Sequence, residues 1–384
     1  MTVPTTANVL LRGQLAYLRE HGFDVTVISS PGPELELVAR REGVRVVEVP
    51  MTREIDLRGD PLALARMTRE LRRLRPHIVN ASTAKAGLAG MLAAAALAVP
   101  IRVYLLRGLR LETEAGVRRA VLGLAERAAA RCAHEVICVS ASLRERFVAA
   151  GYAPATRCRV LGAGSSNGFD VERFTATPAR RAAAATLRRE LGIPDGAAVI
   201  GFVGRPVLDK GIRELLAAFA ALGRRHADAR LVLVGGGFAG DHVDPDVART
   251  LAAMPNAIAV GRVDEPAPYY ALMDVLAFPS YREGFPNAPM EAAIAGVPTV
   301  AARATGAIDA IRDGETGLLV PPRAAAALAT ALERYVADPA LRARHGASAR
   351  ARVVSELSRE RVWALWLAEY RRLLDGRGRA TMSS

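Results

Sequence analysis

The chain has 384 residues, 51% of them hydrophobic, which is enough for two domains with their own cores and excludes a globally disordered chain. Its net charge is +13, with 25 basic against 17 acidic residues over 1–175 and 27 against 22 over 176–384, so the excess leans to the first half. Aromatics make up only 5% and no nucleic-acid-binding motif is recognisable, which argues against a nucleic-acid partner and leaves an arginine-rich composition or a face for anionic lipid and phosphate groups.

In chain order, residues 1–10 lack the charged start and apolar core of a signal peptide. An amphipathic helix is expected over 13–21 and a turn and strand over 22–30. Strand-like runs recur at 44–49, 77–81, 101–106, 135–139 and 159–161, separated by helical patterns at 34–41, 61–74, 84–98, 116–131 and 142–150. Such alternation means a parallel sheet covered on both faces. The longest apolar run, 86–99, is too short to span a bilayer and stops at Pro100, so it reads as a packed helix. Cys132, Cys138 and Cys158 are odd in number and lack metal-ligand spacing, as expected in a reducing cytosol.

Residues 174–191 are rich in Ala and Arg, contain Pro178, and read as the link between domains. A second alternating series follows, with strands at 199–203, 230–234, 258–261, 275–278, 299–301 and 318–320. Its helices are expected at 212–225, 247–254, 289–295, 324–337, 341–356 and 359–374, the last carrying Trp363 and Trp366, before a frayed tail at 376–384. The expected domains are 1–175 and 176–358, with 359–375 as a terminal helix.

The most informative stretch is 275–299: a buried strand, a loop marked by Gly and Pro, and a short helix closing at Gly296-Val297-Pro298. Glu283 precedes that helix and Glu291 lies inside it, with seven residues between them. The N–H groups of Gly284, Phe285 and Asn287 near its start have no intrahelical partner and carry the positive end of the dipole, a ready anion site. Earlier, Gly204-Arg205 follows a strand and Asp209-Lys210-Gly211 opens a helix; Lys210 and Lys85 are the only lysines, every other basic residue being arginine. Gly235-Gly236-Gly237-Phe238-Ala239-Gly240 satisfies G-x-G-x-x-G, but the acidic run after it opposes a pyrophosphate. Asp244-Pro245-Asp246, with His242 nearby, has the form D-x-D, and reads as a polar loop capping the next helix.

The Glu–seven residues–Glu element resembles that of retaining glycosyltransferases of family 4, which have the GT-B fold. Gly204-Arg205 with Lys210-Gly211 is similar to the diphosphate element of that family, and 313–320 to its late strand motif. The resemblance covers nearly the whole chain. It implies an α/β GT-B architecture, two Rossmann-like domains with parallel sheets facing across a cleft, the terminal helix crossing back onto the first domain. In that family a buried strand precedes a loop resembling Thr2-Val3-Pro4-Thr5-Thr6, and here Met1 stands where that strand should end; a sheet short of its first strand, or a start lying upstream, is expected.

The resemblance implies a retaining, metal-independent transferase without a cofactor. It would move a hexose or N-acetylhexosamine from a nucleotide sugar, UDP-linked, to an acceptor hydroxyl. Arg205 and Lys210 would face the departing diphosphate and Glu283 the donor sugar; Gly204, Gly284, Phe285, Pro286 and Asn287 would line the donor site, Glu291 would hold the ribose, and Arg262 the rim of the base. Lys85 in 80–87, with Arg107 and Arg110 in 104–112, resembles a subgroup that builds bacterial surface glycans on polyprenyl-diphosphate carriers; many family members have a His near the place of Arg107. This subgroup implies acceptor-binding roles for the three residues and a cytoplasmic enzyme, peripheral on an anionic membrane face. A small natural-product acceptor, a nucleotide-sugar epimerase and an inactive nucleotide-sugar-binding protein are the alternatives.

Overall fold

The structure, a computed structural model, describes residues 1–52, 56, 58–237 and 244–382, with side chains to residue 376. It divides into two compact units, Met1–Gly168 with Arg359–Ser384 and Phe169–Ser358. The first passage lies at Gly168–Phe169, ahead of the expected limit at 175.

The first unit opens with helices α1 (Pro4–Leu10) and α2 (Gln14–Glu20). Residues 2–6 are therefore not a simple loop: Pro4 begins α1, where its fixed φ suits the first helical position. Strands β1 (Thr26–Ser29) and β2 (Arg45–Glu48), joined through α3 (Pro33–Glu42), form a two-stranded parallel sheet. A separate four-stranded parallel sheet runs in sequence order through β3 (Ile78–Ser82), β4 (Ile101–Leu106), β5 (Glu135–Cys138) and β6 (Cys158–Val160). Met1 bridges the two: its ammonium donates to the Ile28 carbonyl at 2.9 Å, and the Ser82 hydroxyl meets its sulfur at 2.7 Å.

Helices α4 (Gly59–Leu74), α5 (Ala84–Ala96), α6 (Gly116–Cys132) and α7 (Ala141–Ala149) complete the alternation. The run 86–99 is the packed helix its composition implied: α5 lies against both α4 and α6, and Met67, Leu71, Ala86, Ala93 and Ala94 share one core. Its small residues let α5 sit close to the sheet, since a Cβ on Gly90 would press on Ala81.

The second unit runs α8 (Val171–Phe174), α9 (Pro178–Glu190), β7 (Val199–Val203), α10 (Ile212–Gly223), β8 (Arg230–Val234), α11 (Pro245–Ala252), β9 (Ala257–Gly261), α12 (Ala267–Leu272), β10 (Val275–Phe278), α13 (Asn287–Ile294), β11 (Thr299–Ala302), α14 (Ala307–Ala310), β12 (Gly317–Val320), α15 (Ala325–Ala337) and α16 (Pro339–Glu356). Most of 174–191 is thus helix rather than link: Thr177 caps α9, Pro178 stands in its first turn, and the helix packs on α12. The six strands are all parallel, in the order β12-β11-β10-β7-β8-β9. Strands such as β7 and β10 are almost wholly buried, as continuous apolar runs in a doubly covered sheet must be. The strand order reverses between β7 and β10, and a crevice opens at the C-terminal ends of strands at such a switch point.

The last helix, α17 (Arg359–Met382), belongs to the first unit, and its backbone stays helical well into the expected tail. The Trp363 indole donates to Asn167 Oδ1 at 2.7 Å, that of Trp366 to the Ser166 carbonyl at 3.0 Å, and the Asn80 amide to the Tyr370 hydroxyl at 2.6 Å.

Candidate active site

Two loops leave the switch point, one after β7 and one after β10, and they are tied together. The Asp209 carbonyl accepts from the Tyr281 N–H at 2.9 Å and from the Ser280 hydroxyl at 3.3 Å, while its carboxylate pairs with the Arg282 guanidinium at 3.0 Å. Gly211 is required where the loops touch: its φ is 68°, and a Cβ there would overlap the Pro279 carbonyl. The consequence is an ion pair between Lys210 Nζ and Glu283 Oε1, the side chains 25% and 13% exposed. Lys210 Nζ also stands 5.8 Å from the centre of the Phe278 ring. A third loop supports the second: the Glu283 N–H donates to the Thr305 carbonyl at 3.0 Å, and a Cβ on Gly306 would collide with the Gly284 carbonyl.

Glu291 lies one turn into α13 and accepts from the Tyr270 hydroxyl at 2.7 Å. Burial raises its carboxyl above the usual range, against the Tyr270 hydrogen bond and the positive Arg173, which lower it. Tyr270 is buried on α12, and its phenol is pushed well above normal by burial and by Glu291. Gly284 and Pro286 are buried, Phe285 is half-buried with its ring 6.2 Å from that of Phe169, and Asn287 is exposed at the first position of α13. Gly204 donates its N–H to the Val234 carbonyl at 2.9 Å, beside the start of the same loop. Arg205 and Arg262 are exposed, and neither side chain has an ion-pair partner among the described residues. Lys210 and Glu283 are therefore brought into contact, with Glu291 in a separate pair and the two arginines open to solvent.

In the first unit, Arg107 follows β4. Its Nε donates to the Ser82 hydroxyl at 3.3 Å and its Nη1 to Ser166 Oγ, but Nη2 is buried without a partner among the described residues. Burial lowers this guanidinium to about 10. Thr83, next to Ser82, holds φ 71°, an uncommon conformation for a β-branched residue. Lys85, in the first turn of α5, pairs with Asp60 at 2.6 Å and donates to Thr52 at 2.9 Å. Arg110 lies 3.8 Å from Glu114.

The D-x-D match has other duties. Asp244 caps α11 by accepting from the N–H groups of Asp246 and Val247 at 3.0 and 3.3 Å, and it pairs with Arg213 at 2.7 Å. Among the described residues no group of three metal-ligating side chains occurs; Gly240, Asp241 and His242 lie outside them.

Sequence reasoning missed Arg282, Thr305 and Tyr270, and quoted Asp209 within its motif without giving it a partner. Asp209 and Arg282 each flank a residue already singled out, a signal that could have paired them. Nothing local marks Thr305 or Tyr270, which reach their partners only through the tertiary fold.

The arrangement offers cations, N–H groups at a helix start without a partner among the described residues, and two carboxylates at the switch point of a parallel sheet. Residues 5–164 match the family described as "Glycosyl transferase 4-like domain" and residues 197–338 that described as "Glycosyl transferases group 1". The chain is 35% identical over 354 residues to the capsular polysaccharide biosynthesis glycosyltransferase CapM of Staphylococcus aureus, covering 92% of this chain and 91% of the relative. It is 34% identical over 324 residues to a GDP-mannose-dependent alpha-mannosyltransferase of Mycobacterium tuberculosis, covering 80% and 78%. In fold it is similar to HepE of Anabaena solved with UDP (TM-score 0.79, 22% identity, 97% of each chain) and to sucrose-phosphate synthase of Thermosynechococcus elongatus (TM-score 0.75, 23% identity, 95% and 93%). The chain belongs to the group 1, family 4-like glycosyltransferases and has their GT-B fold.

Proposed function

We propose that this glycosyltransferase moves a hexose or N-acetylhexosamine from a UDP-sugar to a hydroxyl of a polyprenyl-diphosphate-linked saccharide, with retention of configuration and no metal. The observation that carries the reading is the Lys210–Glu283 pair, which bridges β7 and β10 at the switch point. As the glycosidic bond breaks, negative charge grows on the departing diphosphate. Lys210 and the open guanidinium of Arg205 can neutralise it, and the N–H groups at the start of α13 add the positive end of a helix dipole. Glu283 then faces the sugar, and Glu291, fixed by Tyr270, accepts from the ribose hydroxyls. No enzymic nucleophile stands out, so front-face attack fits best, the leaving oxygen taking the acceptor proton.

The acceptor half of the proposal draws on Arg107. A buried guanidinium with one unpartnered nitrogen is costly unless an anion completes it, and a diphosphate is such an anion. The name of the CapM relative supports polysaccharide assembly, and the UDP bound to HepE supports the donor base. The lipid-linked acceptor also places the chain peripherally on a membrane; among the described residues no helix is long and apolar enough to cross one.

The test is nucleoside diphosphate release from a panel of UDP- and GDP-sugars, with and without a polyprenyl-diphosphate saccharide. Transfer that needs both substrates, and prefers a UDP-sugar, is the expected result. Epimerised donor without acceptor, no turnover at all, or equal use of a phosphate-free small acceptor would each overturn part of the reading.

A further inference from the structure

Helix α6 has one face too many for a globular domain. Its inner side carries the buried Gly123, Glu126, Ala129 and Ala130. The Tyr104 hydroxyl donates to Glu126 at 2.7 Å, and the helix packs on α5. Yet Val117, Val121 and Leu124 are 81%, 43% and 65% exposed. Spaced i, i+4 and i+7, they form a single apolar stripe directed away from the core. Arg118 and Arg127 border the stripe on either side, and Arg131 stands at its C-terminal end, all exposed. Arg118 pairs with Glu114 at 3.3 Å, whereas Arg119, Arg127 and Arg131 have no ion-pair partner among the described residues. The one acid within the helix, Glu126, faces inward.

We propose that this outer face of α6 docks on an anionic lipid bilayer, the stripe entering the headgroup region and the arginines meeting lipid phosphates. An exposed apolar stripe flanked by guanidinium groups is the pattern of a helix lying in a membrane interface. The charge excess of the first half supplies the longer-range attraction, and charge complementarity favours anionic lipid over a neutral protein groove. The surface rests on the lipid-linked acceptor reading for its purpose, but lipid binding and sugar transfer are read separately.

The experiment uses the full chain and sedimentable vesicles of phosphatidylcholine, alone or mixed with phosphatidylglycerol. Wild type should bind the mixed vesicles and release as salt rises. Val117→Ser with Leu124→Ser should lower the partition roughly 10- to 100-fold. Arg127→Ala with Arg131→Ala should lower it roughly tenfold or more on mixed vesicles. Circular dichroism and Tm should match wild type, because all four side chains are exposed. Turnover of a water-soluble acceptor should also be unchanged in both variants. If the Val117/Leu124 variant partitions as wild type does, the proposal falls. It falls equally if wild type is a dimer by sedimentation that this variant dissolves, since the stripe then belongs between two copies. If sugar transfer is absent while the lipid-binding difference persists, the function reading fails and the surface stands.

Discussion

Replacing Lys210 by Ala tests the proposed donor site at its centre. In the protein as folded, Nζ is held by Glu283, and both side chains are mostly covered. A charge-assisted contact of this kind is worth about 1.5–3 kcal/mol, so if it is expressed fully in the transition state, kcat/KM should fall roughly 10- to 150-fold. The loss of stability should be smaller, about 1 kcal/mol, because Lys210 retains some solvent. The pair also makes a sharper prediction. On the proposed donor reading Glu283 would compete with a diphosphate for the same ammonium, so Glu283→Gln should tighten binding of UDP alone by up to about fivefold while slowing turnover. The double variant should lose less than the product of the two single effects, as residues acting together do. Steady-state release of UDP gives kcat/KM, and calorimetric titration gives the UDP affinity. A Lys210→Ala protein of normal Tm with unchanged kcat/KM would refute the reasoning, and weakened UDP binding by Glu283→Gln would refute the competition.

Three further tests concern other parts of the chain. Arg107→Met removes a buried charge that has one unpartnered nitrogen, so Tm should hold or rise while the acceptor KM climbs about tenfold, and Lys85→Ala should raise the acceptor KM more than the donor KM; a falling Tm with an unchanged acceptor KM would make Arg107 structural. Glu126, pushed up to about 7 by burial against its Tyr104 hydrogen bond, stabilises the fold fully below its unfolded value near 4.5 and loses that contribution as pH rises through about 7. Melting should therefore show a loss on the order of 3 kcal/mol from pH 4.5 to 8 that Glu126→Gln abolishes, and an unchanged pH profile in that variant would count against it. Asp244→Ala with Asp246→Ala should cost about 1 kcal/mol through the lost α11 cap and leave turnover within about twofold, with no effect of EDTA; activity lost to EDTA and restored by Mn²⁺ or Mg²⁺ would reverse that reading.

Much of the fold could be read from the sequence, because a strand buried on both faces is a short continuous apolar run. The runs that became β7, β8 and β10 show this directly. Residues 174–191 misled because Ala, Arg and a Pro suit a solvated linker as well as a helix with one buried alanine; the Thr177 cap before Pro178 was the overlooked signal. Lys210 and Glu283 could be named, since each sits beside glycines that mark a sharp turn after a strand. Their contact could not, because 73 residues separate them and only the strand order puts β7 next to β10. The stripe on α6 was hidden for the opposite reason. A helical apolar repeat reads as core by default, and only the structure reveals which side of that helix the core takes.

The scarcity of lysine has a practical consequence. Lys85 and Lys210 are the only side-chain amines in a chain whose other cations are guanidinium groups, and each is tied to a carboxylate, Asp60 and Glu283 respectively. Acylating reagents attack amines and leave arginine untouched. The protein thus carries one natural chemical reporter in each unit, distinguishable by peptide mass without any engineered label. Under the proposed function, protection of Lys210 would read occupancy on the donor side and protection of Lys85 occupancy on the acceptor side, within the same sample.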